Sequence, residues 1–207
     1  MLYVFRSFLL LTFLVSVTLV GCNAKTESSS KSQSSSEETI QPDQSLSEGE
    51  QEKADALIVQ GNKKLGNGNY KGAIADFNQA LTIDENNAQA LADRGVARSR
   101  LTNYKDAIAD YDKALAIDSQ AYDVYYNRGI AKAQLDNHKS AIKDFTQAIE
   151  QNPDFAPAIG NRGFAYAELE NYTEAIKDLE KASQLFKEQG NKKRSYRLQR
   201  AARYIKP

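Results

Sequence analysis

The chain has one cysteine, one histidine and no tryptophan in 207 residues. A single cysteine, Cys22, excludes an internal disulfide and any multi-cysteine metal centre. With His138 as the sole imidazole, a zinc or iron site built from histidine and cysteine is not expected, and neither is any cofactor. Net charge is missing too. The 27 Lys and Arg balance 27 Asp and Glu, so nothing draws the whole chain to nucleic acid. A nucleophile activated by histidine needs the two close together, and His138 stands where sister segments have tyrosine, which makes it a packing residue. The glycine-rich stretch from Gly66 to Gly72 lacks the Gly-Lys-Ser/Thr ending of a phosphate loop and reads as a turn. Carboxylates are plentiful but follow a period instead of converging on one site, so no enzyme is expected.

What the chain does have is a repeat. Gly61, Gly95, Gly129 and Gly163 fall 34 residues apart. So do Ala73, Ala107, Ala141 and Ala175, then Ile74, Ile108, Ile142 and Ile176, then Ala80, Ala114, Ala148 and Ala182. A fixed period of this kind signals stacked units. Four copies follow without insertion, at 54–87, 88–121, 122–155 and 156–189. In the third, Val124, Tyr125, Gly129, Ala131 and Leu135 predict one amphipathic helix, broken at Asp136-Asn137. Ala141, Ile142, Phe145, Ala148 and Ile149 predict a second, stopped by Pro153. Each copy is therefore an antiparallel helix pair. Asn69, Asn103, Asn137 and Asn171 mark the turn, each followed by an aromatic ring that packs under the hairpin. Glycine inside a helix costs about 1 kcal/mol against alanine. Its fourfold recurrence argues for close helix approach.

These positions resemble the tetratricopeptide repeat. They supply its small residue of helix A, then Ala, then a large residue (Phe77, Tyr111, Phe145 or Leu179), then Ala. The family's early Trp and its Leu before Gly are missing, and Pro stands at its terminal position only as Pro153. The resemblance implies an all-α, right-handed α-solenoid of four helix-turn-helix units with a C-terminal capping helix over 190–207. It also implies a groove lined by the A helices. Mapped onto this chain, that groove takes Asp55, Ile58, Val59 and Asn62, then Asp93, Val96, Ser99 and Arg100. The later copies add Asp123, Tyr126, Asn127, Ile130, Asn161, Phe164 and Glu168. Asn127 and Asn161 suit a peptide backbone, because an amide both donates and accepts. One subtype of the family grips C-terminal carboxylates with a Lys/Arg/Asn clamp. Asp93 and Asp123 fall where that clamp wants Asn and Lys, and would repel such a ligand. A neutral or basic extended peptide, or a partner's helix, is the expected occupant.

Arg94, Arg128 and Arg162 stand just before the repeated glycines, with Gln60 in the first copy. Asp76, Asp110, Asp144 and Asp178 recur on helix B. A shared period of cation and anion predicts a structural ladder of bidentate ion pairs. Asp76, without an arginine, is left to pair across the repeat boundary or to face water. Beyond Gly190, Leu198, Ala201, Ala202 and Ile205 form one stripe that can cover the end of the array. Seven cations between Lys192 and Lys206 give that cap a polar exterior, or a surface for anionic lipid or an acidic protein.

At the other end, Arg6 precedes an apolar run from Phe8 to Val20, the pattern of a secretory signal peptide over 1–21. An uncleaved anchor is the alternative, although the run is short for a span of about 20 apolar residues. Leu19-Val20-Gly21-Cys22 resembles a bacterial lipoprotein lipobox. That resemblance implies lipid, palmitate included, on Cys22, and residence at a cell envelope facing the periplasm or exterior. Asn23 is not the Asp associated with inner-membrane retention. Residues 22–53 are Ser-rich and polar, with Ile40 and Leu46 as their only large apolar residues, and read as a flexible tether. The expected whole is a non-enzymatic adaptor for a protein or peptide partner, held at a membrane through Cys22 and not binding nucleic acid. An assembly or secretion factor for an envelope complex, or a regulatory subunit of an envelope hydrolase, are the alternatives.

Overall fold

The computed structural model describes residues 46–205; Cys22, the leader and most of the tether lie outside them. The described residues form nine helices and no strand: α1 (Glu48–Gly66), α2 (Tyr70–Ile83), α3 (Ala88–Arg100), α4 (Tyr104–Ile117), α5 (Tyr122–Ala133), α6 (His138–Gln151), α7 (Ala156–Glu168), α8 (Tyr172–Glu188) and α9 (Lys192–Tyr204). Each packs on its chain neighbours, and α1, α3, α5 and α7 also touch in succession. The fold is an all-α solenoid of four hairpins with a ninth helix on α8.

Helix α1 begins inside the stretch read as tether. Ser47 Oγ accepts the Glu50 amide, and the Glu50 carboxylate accepts the Ser47 amide at 3.1 Å and its hydroxyl at 2.7 Å. This is a capping box, which satisfies two helix-end donors at once. Composition alone hid it, although Ser47-Glu48-Gly49-Glu50 carries the Ser-x-x-Glu signature.

Each intra-hairpin turn places one residue in the left-handed region: Gly68 (φ 76°), Thr102 (62°), Asp136 (57°) and Glu170 (59°). An asparagine follows each time, and Asn69 and Asn137 accept amides of the next helix, those of Gly72 and Ser140. The same device joins α8 to α9, through Gly190 (φ 79°) and Asn191, which accepts the Arg194 amide. The capping helix is thus attached by the turn used within a repeat. Leu135, expected on the helical face of the third copy, lies instead in the turn after α5 and is 40% exposed.

The repeated glycines are where the helices meet. A Cβ on Gly61, Gly95 or Gly129 would stand 2.6, 2.6 or 2.7 Å from the ring of Phe77, Tyr111 or Phe145. On Gly163 it would stand 3.0 Å from Leu179. These large residues are almost fully buried, flanked by Ala73, Ala80 and their equivalents. At the end, Leu198 and Ala202 are buried against α7 and α8, with Ala201 and Ile205 packed beside them.

The ion-pair ladder is present. Arg94 Nε and Nη2 donate to Asp110 at 3.0 and 2.7 Å. Arg128 does the same to Asp144 at 2.9 and 2.7 Å, and Arg162 to Asp178 at 2.7 and 3.0 Å. The third nitrogen of each arginine reaches back to the preceding hairpin: Arg94 to Asn78 at 2.8 Å, Arg128 to Asp112 at 2.7 Å, Arg162 to Thr146 at 3.1 Å. One guanidinium therefore ties together a hairpin and joins it to its neighbour. Burial works against the Arg128 charge, but bonding and attraction to Asp144 and Asp112 outweigh it and its pKa rises. For Arg162 the bond to Asp178 dominates and raises the pKa against partial burial. Asp76 neither pairs across the boundary nor faces water: Lys64 of its own hairpin stands 2.7 Å away. Lys64 belongs to a second cation row with Arg98 and Lys132, bonded to Asp110 and Asp144. That row was also legible as a step of 34 residues.

Candidate functional site

The A helices present one outward row of side chains per turn. Asn62, Val96, Ile130 and Phe164 share a register, as do Asp93, Asn127 and Asn161 one turn earlier. Between α3 and α5 lie two clefts of about 240 and 290 Å³. The first is lined by Asp93, Asp118, Asp123 and Asn127, the second by Val96, Ser99, Arg100, Tyr111 and Ile130. Between α5 and α7 a cleft of about 220 Å³ takes Ile130, His138, Asn161, Phe164 and Glu168. Between α7 and α9 a cavity of about 360 Å³ takes Tyr126, Gly160, Asn161 and Phe164, with Phe186, Arg194 and Arg197. Neighbouring clefts share walls: Val96 and Asn127 first, then Ile130, then Asn161 and Phe164. The four form a continuous groove across α3, α5, α7 and α9.

Most of the expected groove residues meet there, but the first copy does not contribute. Ile58 is buried in the core with Phe77 and Ala80. Val59 and Asn62 are exposed and line none of the four clefts. Asp55 lines a separate acidic recess with Glu48, Glu52 and Asp84. At its register Asn62 is polar where the later copies carry Val96, Ile130 and Phe164, so the apolar floor starts only at α3. Asn127 faces two clefts. Asn161 also faces two clefts, and it directs one amide hydrogen to the Tyr126 hydroxyl at 3.3 Å, which fixes its plane.

Tyr126 is packed edge-on to Phe155 (centroids 4.9 Å apart) and near Phe145 (6.1 Å). Burial raises its phenol pKa, with Arg194 and the Asn161 bond pulling the other way. The other copies have Ile58, Ala92 and Gly160 at this position, so an aromatic ring at this register belongs to the third hairpin alone. Tyr111, His138, Phe186, Arg194 and Arg197 were not expected in the groove. Tyr111 and His138 belong to B-helix rows that pack under the hairpins, and only the tertiary arrangement shows that their edges reach the surface; Phe186 lies on the extra turn of α8, where the earlier copies have Asp84, Asp118 and Asn152. The two arginines lie beyond the repeats, in the cap.

Burial pushes the Tyr111 phenol up to about 12 from 10.0, against a weak contact with the Ser99 hydroxyl at 3.4 Å. The neutral phenol is favoured in the folded state, so this contribution is complete below pH 10 and lost as pH rises through 12. A shift of about two pKa units corresponds to roughly 3 kcal/mol. Tyr111→Phe copies Phe77 and Phe145 at the same register. Urea unfolding should therefore find the variant close to the parent near neutral pH, with a smaller stability loss between pH 9 and 12. Parallel pH curves for the two proteins would contradict this.

Stacked helix hairpins with a side-chain-lined groove on their A helices define an α-solenoid repeat protein. The chain belongs to the tetratricopeptide repeat family: matches described as tetratricopeptide repeat cover 122–155 and 145–177, and as TPR repeat 61–101 and 103–136. No curated protein matches the chain as a relative. Among solved structures it is similar to the MamA protein (TM-score 0.61, 23% identity, 73% of this chain and 91% of that one). It is also similar to PilF of Pseudomonas aeruginosa (0.59, 22%, 74% and 78%). A third is the first TPR of Spaghetti (RPAP3) bound to the HSP90 peptide SRMEEVD (0.56, 27%, 57% and 94%).

Proposed function

We propose that this protein is a non-enzymatic interaction adaptor that holds an extended peptide or a partner's helix in the groove across α3, α5 and α7. The observation that carries the reading is the shared row of Val96, Asn127, Ile130, Asn161 and Phe164, which alternates apolar footholds with amides. Phe164 is 43% exposed, so a partner that covers it removes apolar surface from water. The similar RPAP3 domain was solved with a peptide bound, which supports the same use here. The non-enzymatic part is supported by how the ionisable groups are used. The repeated cations and carboxylates pair with one another inside hairpins, and no serine, threonine or cysteine lines the cleft that holds His138.

The adaptor is placed at a bacterial cell envelope by lipid on Cys22, with the repeats facing the periplasm or exterior. That placement rests on the lipobox-like Leu19-Val20-Gly21-Cys22. Among the described residues no helix is long and apolar enough to cross a membrane. A photo-crosslinking residue at Val96 or Phe164 should capture a partner in native membranes, and one at exposed Lys143 or Lys177 on the B helices should not. Equal capture from both faces would remove the groove from the account. Mass spectrometry of the mature N-terminus should find acylated Cys22; an unmodified Cys22 still joined to Gly21 would remove the anchor.

A further inference from the structure

The groove is not uniform along its length. At one register its floor runs Val96, Ile130, Phe164, so the apolar foothold grows larger toward the C-terminus. Its charge changes sign in the same direction. The α3–α5 end carries Asp93, Asp118 and Asp123. The α7–α9 cavity carries Arg194 and Arg197 and no carboxylate. Along the opposite edge Arg100 and Glu168 run the other way, one in each inner cleft. The α7–α9 cavity is the most aromatic of the four, with Tyr126, Phe164 and Phe186 around a floor opened by Gly160.

Both arginines there are exposed and pair with no carboxylate among the described residues, in contrast to Arg94, Arg128 and Arg162. Arg194 is nevertheless placed, with its guanidinium over the Phe186 ring at 5.4 Å. A guanidinium that stacks on an aromatic face keeps its donor edge available to a planar acceptor. The remaining described cations of α9, Lys192, Lys193, Arg200 and Arg203, line none of these clefts.

We infer that the cavity between α7 and the capping helix is a specificity pocket for a bulky apolar side chain flanked by a side-chain carboxylate. The apolar group enters beside Phe164 and Tyr126, and the carboxylate accepts from Arg194 and Arg197. The acids at the α3–α5 end then favour a cationic residue, so the bound segment runs basic to acidic from α3 toward α9. The cap becomes part of the binding site, beyond its service as an end cover. This rests on the groove reading above and adds a direction and a chemistry to it. A carboxylate peptide is favoured over an anionic bilayer because the two arginines flank a concave aromatic cavity, which a flat headgroup layer does not fill.

Panning a random peptide display library on the purified chain tests this. The enriched sequences should place Phe, Trp or Leu next to Asp or Glu, and synthetic peptides of that pattern, blocked at both ends, should bind. Loss of charge-assisted hydrogen bonds should weaken them at least about tenfold in Arg194→Gln/Arg197→Gln. They should be unaffected in Lys193→Gln/Arg203→Gln, which removes the same charge from the outer face. Replacing Glu by Gln in the peptide should mimic the first variant. If the double arginine variant enriches the same peptides as the parent, and Phe164→Ala or Asn127→Ala abolishes them, the pocket assignment fails while the groove reading stands. If no enriched peptide depends on any of these residues, both fail. Binding to phosphatidylglycerol vesicles but to no peptide, lost in either arginine or Lys193/Arg203 variant, would assign the cations to a membrane and overturn the inference.

Discussion

Asp110→Ala should destabilise the solenoid by about 3–5 kcal/mol, because it leaves two partly buried guanidiniums without their anion. Asp110 is 2% exposed and accepts from Arg94 Nε and Nη2 and from Arg98 Nη1, the last at 2.7 Å. Arg94 also bonds Asn78 of the first hairpin, so losing its anchor loosens the joint between hairpins as well. In a linear array each unit is stabilised chiefly by its neighbours. Urea unfolding followed by circular dichroism should therefore show an earlier and broader transition. The other rungs supply a ranking. Asp144→Ala faces Arg128 and Lys132 and should match Asp110→Ala, whereas Asp178→Ala faces Arg162 alone and should cost less. Asp112→Ala removes a carboxylate that is 56% exposed, so its loss should stay under about 1 kcal/mol. Equal small effects at all four positions would show that the ladder contributes nothing to stability.

Phe145→Ala should cost about 3–5 kcal/mol, the usual range for emptying a buried aromatic site. Phe145 is 1% exposed and fills the space that Gly129 leaves open. The reciprocal change is more diagnostic. On an isolated helix Gly129→Ala would gain about 1 kcal/mol. In this fold the new methyl would sit 2.7 Å from Phe145 Cε1, a ring atom with little room to yield. Overpacking of that kind costs about 1–3 kcal/mol, enough to reverse the sign. Combined, the two changes should cost less than their sum by about 1 kcal/mol or more, since the methyl occupies part of the hole. Thermal unfolding of both single variants and the double variant reads the coupling directly. A stabilised Gly129→Ala protein would refute the close approach.

The residues differ in how plainly they announce themselves. A period of 34 with no insertion shows each feature three or four times over, so the hairpins, the glycine contacts and the Arg–Asp pairs are legible from spacing alone. The Lys64, Arg98, Lys132 row carries the same signal, and in the first copy it supplies a cation one turn beyond Gln60, which stands where the other copies have arginine. The start of α1 is masked by composition, because a Ser- and Glu-rich stretch resembles a linker, and is marked only by the Ser47-x-x-Glu50 spacing. The groove was legible by register only for α3, α5 and α7. Ile58 follows the same register, yet its side chain is covered by its own hairpin and by α3.

By itself the sequence determined the unit, its number of copies and the internal partners, because helix periodicity and repeat spacing are local properties of the chain. Asp93 and Asp123 fall in the groove by register, but tertiary structure alone decided that its far end is basic. Arg194 and Arg197 lie 30 residues or more beyond Phe164 in the chain, and no spacing rule links them. They reach the same cavity because the Gly190–Asn191 turn folds α9 back along α8, and that packing sets which face of the cap meets α7.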